Sequence, residues 1–264
     1  MSEEKITKQH FVLVHGPCHG AWCWYKALPL LEAKGHRVTA VDLAASGRDM
    51  TKSITDVLTC EQYSEPLTNL MASLPREEKV VLVCHSTGGL PVAIAMEKFP
   101  KKVSVAVFVT AFMPDTKHSP AFVVEKFDNS VPREAWMDTV FKPYGPDNSG
   151  LSLLLGREFM KLVIYELSPI EDLELATLLK RPGSFFINAL SKMENFSDEA
   201  YGSVPRAYIV VKNDKGIPEE YQRWMIDNFP VNLVVEMEKT DHLPMLSSPK
   251  QLCDHILKIA HNFV

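Results

Sequence analysis

Val80-Val81-Leu82-Val83-Cys84-His85-Ser86-Thr87-Gly88-Gly89 is an apolar, β-branched run that ends in a hydroxyl, two glycines and the start of a helical pattern. The run reads as a buried strand, and its last four residues as a tight strand-to-helix turn, a nucleophile elbow. Such a turn exposes the oxygen of its serine and aims the next backbone N–H, that of Thr87, at whatever the serine attacks. The elbow pattern has glycine two residues before the serine, where neighbouring backbones crowd. This chain has Cys84 there, small enough for the turn to form. A Ser-Thr-Gly-Gly loop without chemistry is the alternative, and it leaves the strand before and the helix after unexplained.

Working outward, Phe11 to Val14, Arg37 to Val41, Val103 to Val109, Ala207 to Val211 and Leu233 to Glu236 repeat the short apolar pattern of buried parallel strands. Helical patterns lie between them at about Trp22 to Ala33, interrupted at Pro29, and at Glu61 to Ser73, Gly89 to Lys98, Glu219 to Asn228 and Pro249 to His261. Alternating strand and helix predict an α/β fold with a doubly wound, mostly parallel sheet. The alternation breaks from Met113 to Tyr201, where prolines and aromatics, among them Phe122, Trp136 and Phe141, interrupt shorter helical patterns. Residues 113–201 are therefore expected to form a cap inserted into a core of residues 1–112 and 202–264. Ligands of such sheets bind beyond the carboxyl ends of the strands, so the cap would roof Ser86. Its aromatics suit an apolar substrate or form a small core of their own.

The 264 residues, 46% of them hydrophobic, suffice for one sizeable core. A net charge of −5, without long charged blocks, gives no track for nucleic acid and no patch for an anionic membrane. Met1 to His10 is polar and lacks a leader's apolar core, and no run has the length of a membrane span, so a cytoplasmic protein with small-molecule partners is expected. The five cysteines, an odd number without metal-ligand spacing, predict reduced thiols and no metal site.

A serine hydroxyl is a weak nucleophile at neutral pH and needs a base, which in turn needs an acid to orient it. Asp214 follows the strand Ala207 to Val211, and His242 follows the strand Leu233 to Glu236. The order Ser86, Asp214, His242 on post-strand loops is that of an α/β-hydrolase triad. Asp241 is the rival acid, but a sequence neighbour usually points elsewhere, and it is expected to bond its own turn. His85 is expected to point away from the serine, and His15 and His19 to brace the first loop.

That loop, His15-Gly16-Pro17-Cys18-His19-Gly20-Ala21-Trp22, should supply a second N–H to the oxyanion hole beside that of Thr87. If the donor position is Pro17, the hole is one hydrogen bond short, because proline carries no N–H. Cys18 N–H, the Thr87 hydroxyl or an activated substrate carbonyl could each compensate.

Together, His10-Phe11-Val12-Leu13-Val14-His15-Gly16, Gly20-Ala21-Trp22, Ala40-Val41-Asp42-Leu43-Ala44-Ala45-Ser46-Gly47, Arg181-Pro182-Gly183-Ser184 and Tyr201-Gly202-Ser203-Val204 give the chain a close resemblance to the plant methylesterase family, which also contains hydroxynitrile lyases. The resemblance extends over nearly the whole chain. It implies a capped α/β-hydrolase fold, no cofactor, a cytosolic setting, frequent homodimers and hydrolysis of methyl esters of plant hormones or specialised metabolites. Glu171-Asp172-Leu173-Glu174-Leu175-Ala176 and Arg206-Ala207-Tyr208-Ile209 are similar to members of the polyneuridine aldehyde esterase type, which implies an indole-alkaloid ester whose acid then loses CO₂. Salicylate-, indole- and jasmonate-like esters are the other choices. By motif, Ser86 matches the nucleophile, His242 the base, Asp214 the acid and Pro17 the loop oxyanion donor. Trp136 matches a cap residue near the pocket, and Leu243 takes the pocket position where lyases have a cyanide-stabilising lysine. Leucine offers no such charge, which sets the lyase reading below that of an esterase. A ligand-binding protein or weak catalyst with an impaired oxyanion hole, motivated by Pro17 and Cys84, is the second reading, and the lyase the third.

Overall fold

β-Branched and aliphatic runs that bury both faces form the centre of the sheet. In the computed structural model, which describes residues 8–263, β1 (His10–Val14), β3 (Val80–Ser86) and β4 (Val103–Ala111) are buried along their whole lengths. With β2 (Arg37–Val41), β8 (Arg206–Val211) and β9 (Leu233–Met237) they make a six-stranded sheet in the order β2-β1-β3-β4-β8-β9, every neighbouring pair parallel. The connecting helices are α1 (Ala27–Glu32), α2 (Cys60–Tyr63), α3 (Glu65–Ser73), α4 (Gly89–Lys98), α9 (Glu219–Asn228), α10 (Pro244–Ser247) and α11 (Pro249–Phe263). α1 packs on α11, and α3 on α4. The expected α/β class holds. The N-terminal stretch whose polarity argued against a leader lies largely outside the described residues.

Between β4 and β8 the chain leaves the sheet and forms α5 (Phe122–Ser130), β5 (Val140–Tyr144), β6 (Gly150–Leu154), α6 (Arg157–Phe159), α7 (Ile170–Leu179), β7 (Gly183–Ser184) and α8 (Ile187–Leu190). β5, β6 and β7 form a separate antiparallel sheet, where the sequence pattern predicted only short helices. This segment is tied to the core at several points. Asp172 of α7 accepts from Tyr25 O–H at 2.6 Å and from Lys26 Nζ at 2.5 Å. The Arg181 guanidinium donates to the carbonyls of Asp49 and Lys52. Every described cysteine is a buried free thiol, and no helix among the described residues is long and apolar enough to cross a membrane.

Close packing at the end of β3 explains the residues after Ser86. A Cβ on Gly89, at the start of α4, would lie 1.9 Å from the carbonyl oxygen of Phe112, just beyond β4. Glycine lets the helix begin against that strand end, which a side chain would push away. Cys84 occupies the crowded position two residues before the serine, with Sγ 3.6 Å from the Val107 carbonyl, and the ladder with β1 and β4 continues through it. The elbow forms without the customary glycine.

Candidate active site

Ser86 ends β3 with φ of +55°, the left-handed backbone that a side chain adopts only under constraint. It is 5% exposed and lines an apolar cavity between the sheet and the segment that joins β4 to β8. Gly16, after β1, leaves the room this needs: a Cβ there would stand 2.9 Å from Ser86 Cβ and 3.3 Å from Oγ.

His242 lines the same cavity, and its Nδ1–H donates to Asp214 Oδ2 at 2.7 Å. Three further donors bind the Asp214 carboxyl group. Thr110 O–H donates to Oδ2, and the N–H groups of Gly216 and Ile217 donate to Oδ1 at 2.6 and 3.0 Å. With four donors on its two oxygens, the buried carboxyl group of Asp214 fixes the orientation and tautomer of the histidine, leaving Nε2 as the acceptor. Among the described residues neither His242 Nε2 nor Ser86 Oγ has a hydrogen-bond partner. Both are available to a ligand, and such contacts commonly tighten only when substrate is bound.

Asp241 does more than cap its own turn. Its Oδ1 accepts from Leu243 N–H at 3.0 Å, and its Oδ2 accepts from the N–H groups of Leu167 and Ser168 at 2.9 and 2.6 Å, joining the His242 loop to the cap. The long-range half of this arrangement has no local sequence signal.

His85 departs from expectation. It lines the cavity, its Nε2–H donates to the His242 carbonyl at 2.7 Å, and the two rings lie 4.6 Å apart. His15 braces the first loop as expected: Nδ1–H donates to the Gly16 carbonyl at 2.7 Å, and Nε2 accepts from Leu43 N–H at 3.1 Å. His19 both braces that loop and lines the cavity, donating from Nδ1 to the Pro17 carbonyl at 2.9 Å and accepting at Nε2 from Tyr165 O–H at 2.6 Å.

Burial, the largest cause in each case, lowers the pKa of all three: His15 below its usual value, His19 to about 4, and His85 well below the ordinary range. Between pH 6.5 and 4 the unfolded chain therefore binds more protons than the folded one, and stability falls as pH falls through that window. His19 alone removes about 2 kcal/mol at pH 5. Urea unfolding at pH 7.5 and 5.0 should show a lower midpoint at pH 5.0 and a smaller pH-dependent loss in His19→Gln. Equal midpoints would refute it.

The oxyanion candidates separate. Pro17 lines the cavity but has no N–H. Cys18 is not part of the cavity wall. With φ of +60° it turns toward β7, where its amide nitrogen would be 2.9 Å from a Cβ on Gly183, its carbonyl accepts from Arg181 N–H, and its Sγ contacts the Leu153 carbonyl. Among the described residues the Cys18 N–H has no protein acceptor. Thr87 is buried next to Ser86, and among the described residues its N–H has no protein acceptor, leaving it available to a ligand oxygen.

Trp136 reaches the cavity, stacked on Phe159 with ring centres 5.1 Å apart. Leu243 does not. Its N–H is bound by Asp241 at the start of α10 and its side chain is fully buried in the core, a consequence of a short helix the sequence pattern did not reveal. The sequence pattern likewise missed Phe112, Phe185 and Ile217, which line the cavity. They come from a post-strand segment, the cap sheet and the Asp214 loop, and only tertiary folding brings them together.

Residues 11–255 match the profile of the alpha/beta hydrolase family. Methylesterase 1 of Arabidopsis thaliana is 73% identical over 264 residues, covering all of both chains. Salicylic acid-binding protein 2 of Nicotiana tabacum is 52% identical, covering 97% of this chain and 98% of its own. The crystal structure of polyneuridine aldehyde esterase superposes with a TM-score of 0.93 at 47% identity, covering 96% of this chain and all of its own. The chain belongs to the alpha/beta hydrolase family and, within it, to the plant methylesterases.

Proposed function

We propose that Ser86, His242 and Asp214 hydrolyse a methyl ester whose acyl group is largely apolar. Ser86 Oγ adds to the ester carbonyl carbon as its proton passes to His242 Nε2. Thr87 N–H binds the resulting oxyanion, and collapse expels methoxide, which takes the proton and leaves as methanol. Water, deprotonated by the same histidine, then cleaves the acyl-serine and releases the acid. The observation that carries this reading is the saturated Asp214 carboxylate fixing His242 in the same cavity as the strained Ser86.

Among the described residues no Lys, Arg, Asp or Glu lines the cavity, so its walls favour a neutral ester over the anionic acid it becomes. Indole-alkaloid, indolyl, salicylyl and jasmonyl methyl esters all meet that description. The likeness to polyneuridine aldehyde esterase supports the first, and the name of the tobacco relative supports a salicylate-like acyl group. Pro17 supports a second reading, a binding protein with little turnover. Methanol release from a panel of these four ester classes separates the two. Release from one class establishes the esterase and its substrate, whereas tight binding of an ester without methanol overturns it in favour of the binding protein.

A further inference from the structure

Beside the active-site cavity the cap bounds a second cavity, of about 220 Å³, that the hydrolytic mechanism leaves unused. Leu153 of β6 and Phe185, directly after β7, line both spaces. Trp136, on the active-site side, meets the Phe185 ring at 5.8 Å and the edge of Phe141 at 5.5 Å, and Phe141 lines the second cavity. The side chains between the two spaces are thus Leu153 and three aromatic rings, Trp136, Phe141 and Phe185, which can turn about their χ angles.

The chemistry of the second cavity narrows its occupant. Its polar side chains are largely engaged within the protein: Tyr144 O–H donates to the Val57 carbonyl, Ser184 O–H to the Leu151 carbonyl, and Asn188 Nδ2–H to the Ser149 carbonyl. A ligand therefore meets mainly leucine, isoleucine and phenylalanine surfaces. Asp128 also lines it and has no hydrogen-bond or ion-pair partner among the described residues, so its carboxylate repels an anionic end group.

The geometry points to a distal acyl subsite, entered past Phe185, that receives the far end of a long, uncharged acyl chain whose ester carbonyl sits at Ser86. This rests on the esterase reading above and extends its substrate class to long straight-chain acyl groups. Each methylene buried there is expected to raise kcat/KM by up to about fourfold, until the cavity is filled.

Ala189 lines only the second cavity, so Ala189→Trp fills it without touching the triad. Straight-chain methyl esters from hexanoate to tetradecanoate, with methyl benzoate and the monomethyl ester of dodecanedioic acid as references, provide the test. In wild type, kcat/KM should rise with chain length and fall at least tenfold when the chain ends in a carboxylate. Ala189→Trp should abolish the rise and leave methyl benzoate unchanged, and Phe185→Ala should steepen it. Unchanged ratios of long to short esters in Ala189→Trp would overturn the subsite. Calorimetric binding of methyl dodecanoate to Ser86→Ala and to Ser86→Ala/Ala189→Trp reads the subsite without turnover. At least tenfold weaker binding by the double variant supports it even if no ester is hydrolysed, and equal affinities refute it.

Discussion

Ser86→Ala lowers kcat for the cognate methyl ester by about 10⁴-fold or more and leaves the urea midpoint close to that of wild type. The magnitude follows from losing the nucleophile of a unit whose members act together, which typically leaves only the catalysis supplied by binding and oxyanion stabilisation. The neutrality in stability follows from the site. Ser86 Oγ has no hydrogen-bond partner among the described residues, so its removal leaves no buried donor or acceptor unsatisfied. Alanine also meets the same φ of +55° that serine tolerates, so the backbone strain is unaltered. Ester affinity should persist, because the walls formed by Trp136, Phe159 and Phe185 remain. A variant that kept full turnover would remove Ser86 from the mechanism. A variant that unfolded at markedly lower urea would show that the hydroxyl supports the elbow instead.

The parts of this molecule that were legible in its sequence are those governed by local periodicity. Arg37–Val41, Gly89–Lys98 and Glu219–Asn228 have the bounds that their apolar spacing predicts. The strands leading to Asp214 and His242 were equally visible, so the two residues could be placed on neighbouring strand ends. The cap sheet was not. β5 carries Lys142 and Pro143 and is exposed along most of its length, and β7 has only two residues, so neither shows a buried-strand pattern. Leu243 was misplaced for another reason. It sits beside His242 but heads a four-residue helix, and that backbone turn carries it into the core and away from the cavity. The cap tie through Asp241 depends on residues more than 70 positions away, which single-residue chemistry cannot announce.

Pro17→Ala raises kcat for methyl ester hydrolysis by about 100-fold. Acyl transfer develops a full negative charge on the carbonyl oxygen, and loss of one preorganised donor typically costs about 100- to 1,000-fold in rate. In this site Thr87 N–H is available and Pro17, which lines the cavity, has no N–H to offer, so residue 17 supplies no second backbone donor. Alanine supplies an N–H at residue 17 with little change in volume. The loop around it is held independently by His15 on the Gly16 carbonyl and by His19 on the Pro17 carbonyl, bonds that do not involve the proline ring. The gain should appear mainly in kcat, since the new bond strengthens as the carbonyl oxygen acquires charge. A variant that folds as wild type yet shows no increase would mean that another group, such as the Thr87 hydroxyl, already completes the hole. An increase confined to KM would mean that residue 17 contacts the bound ester and not its oxyanion.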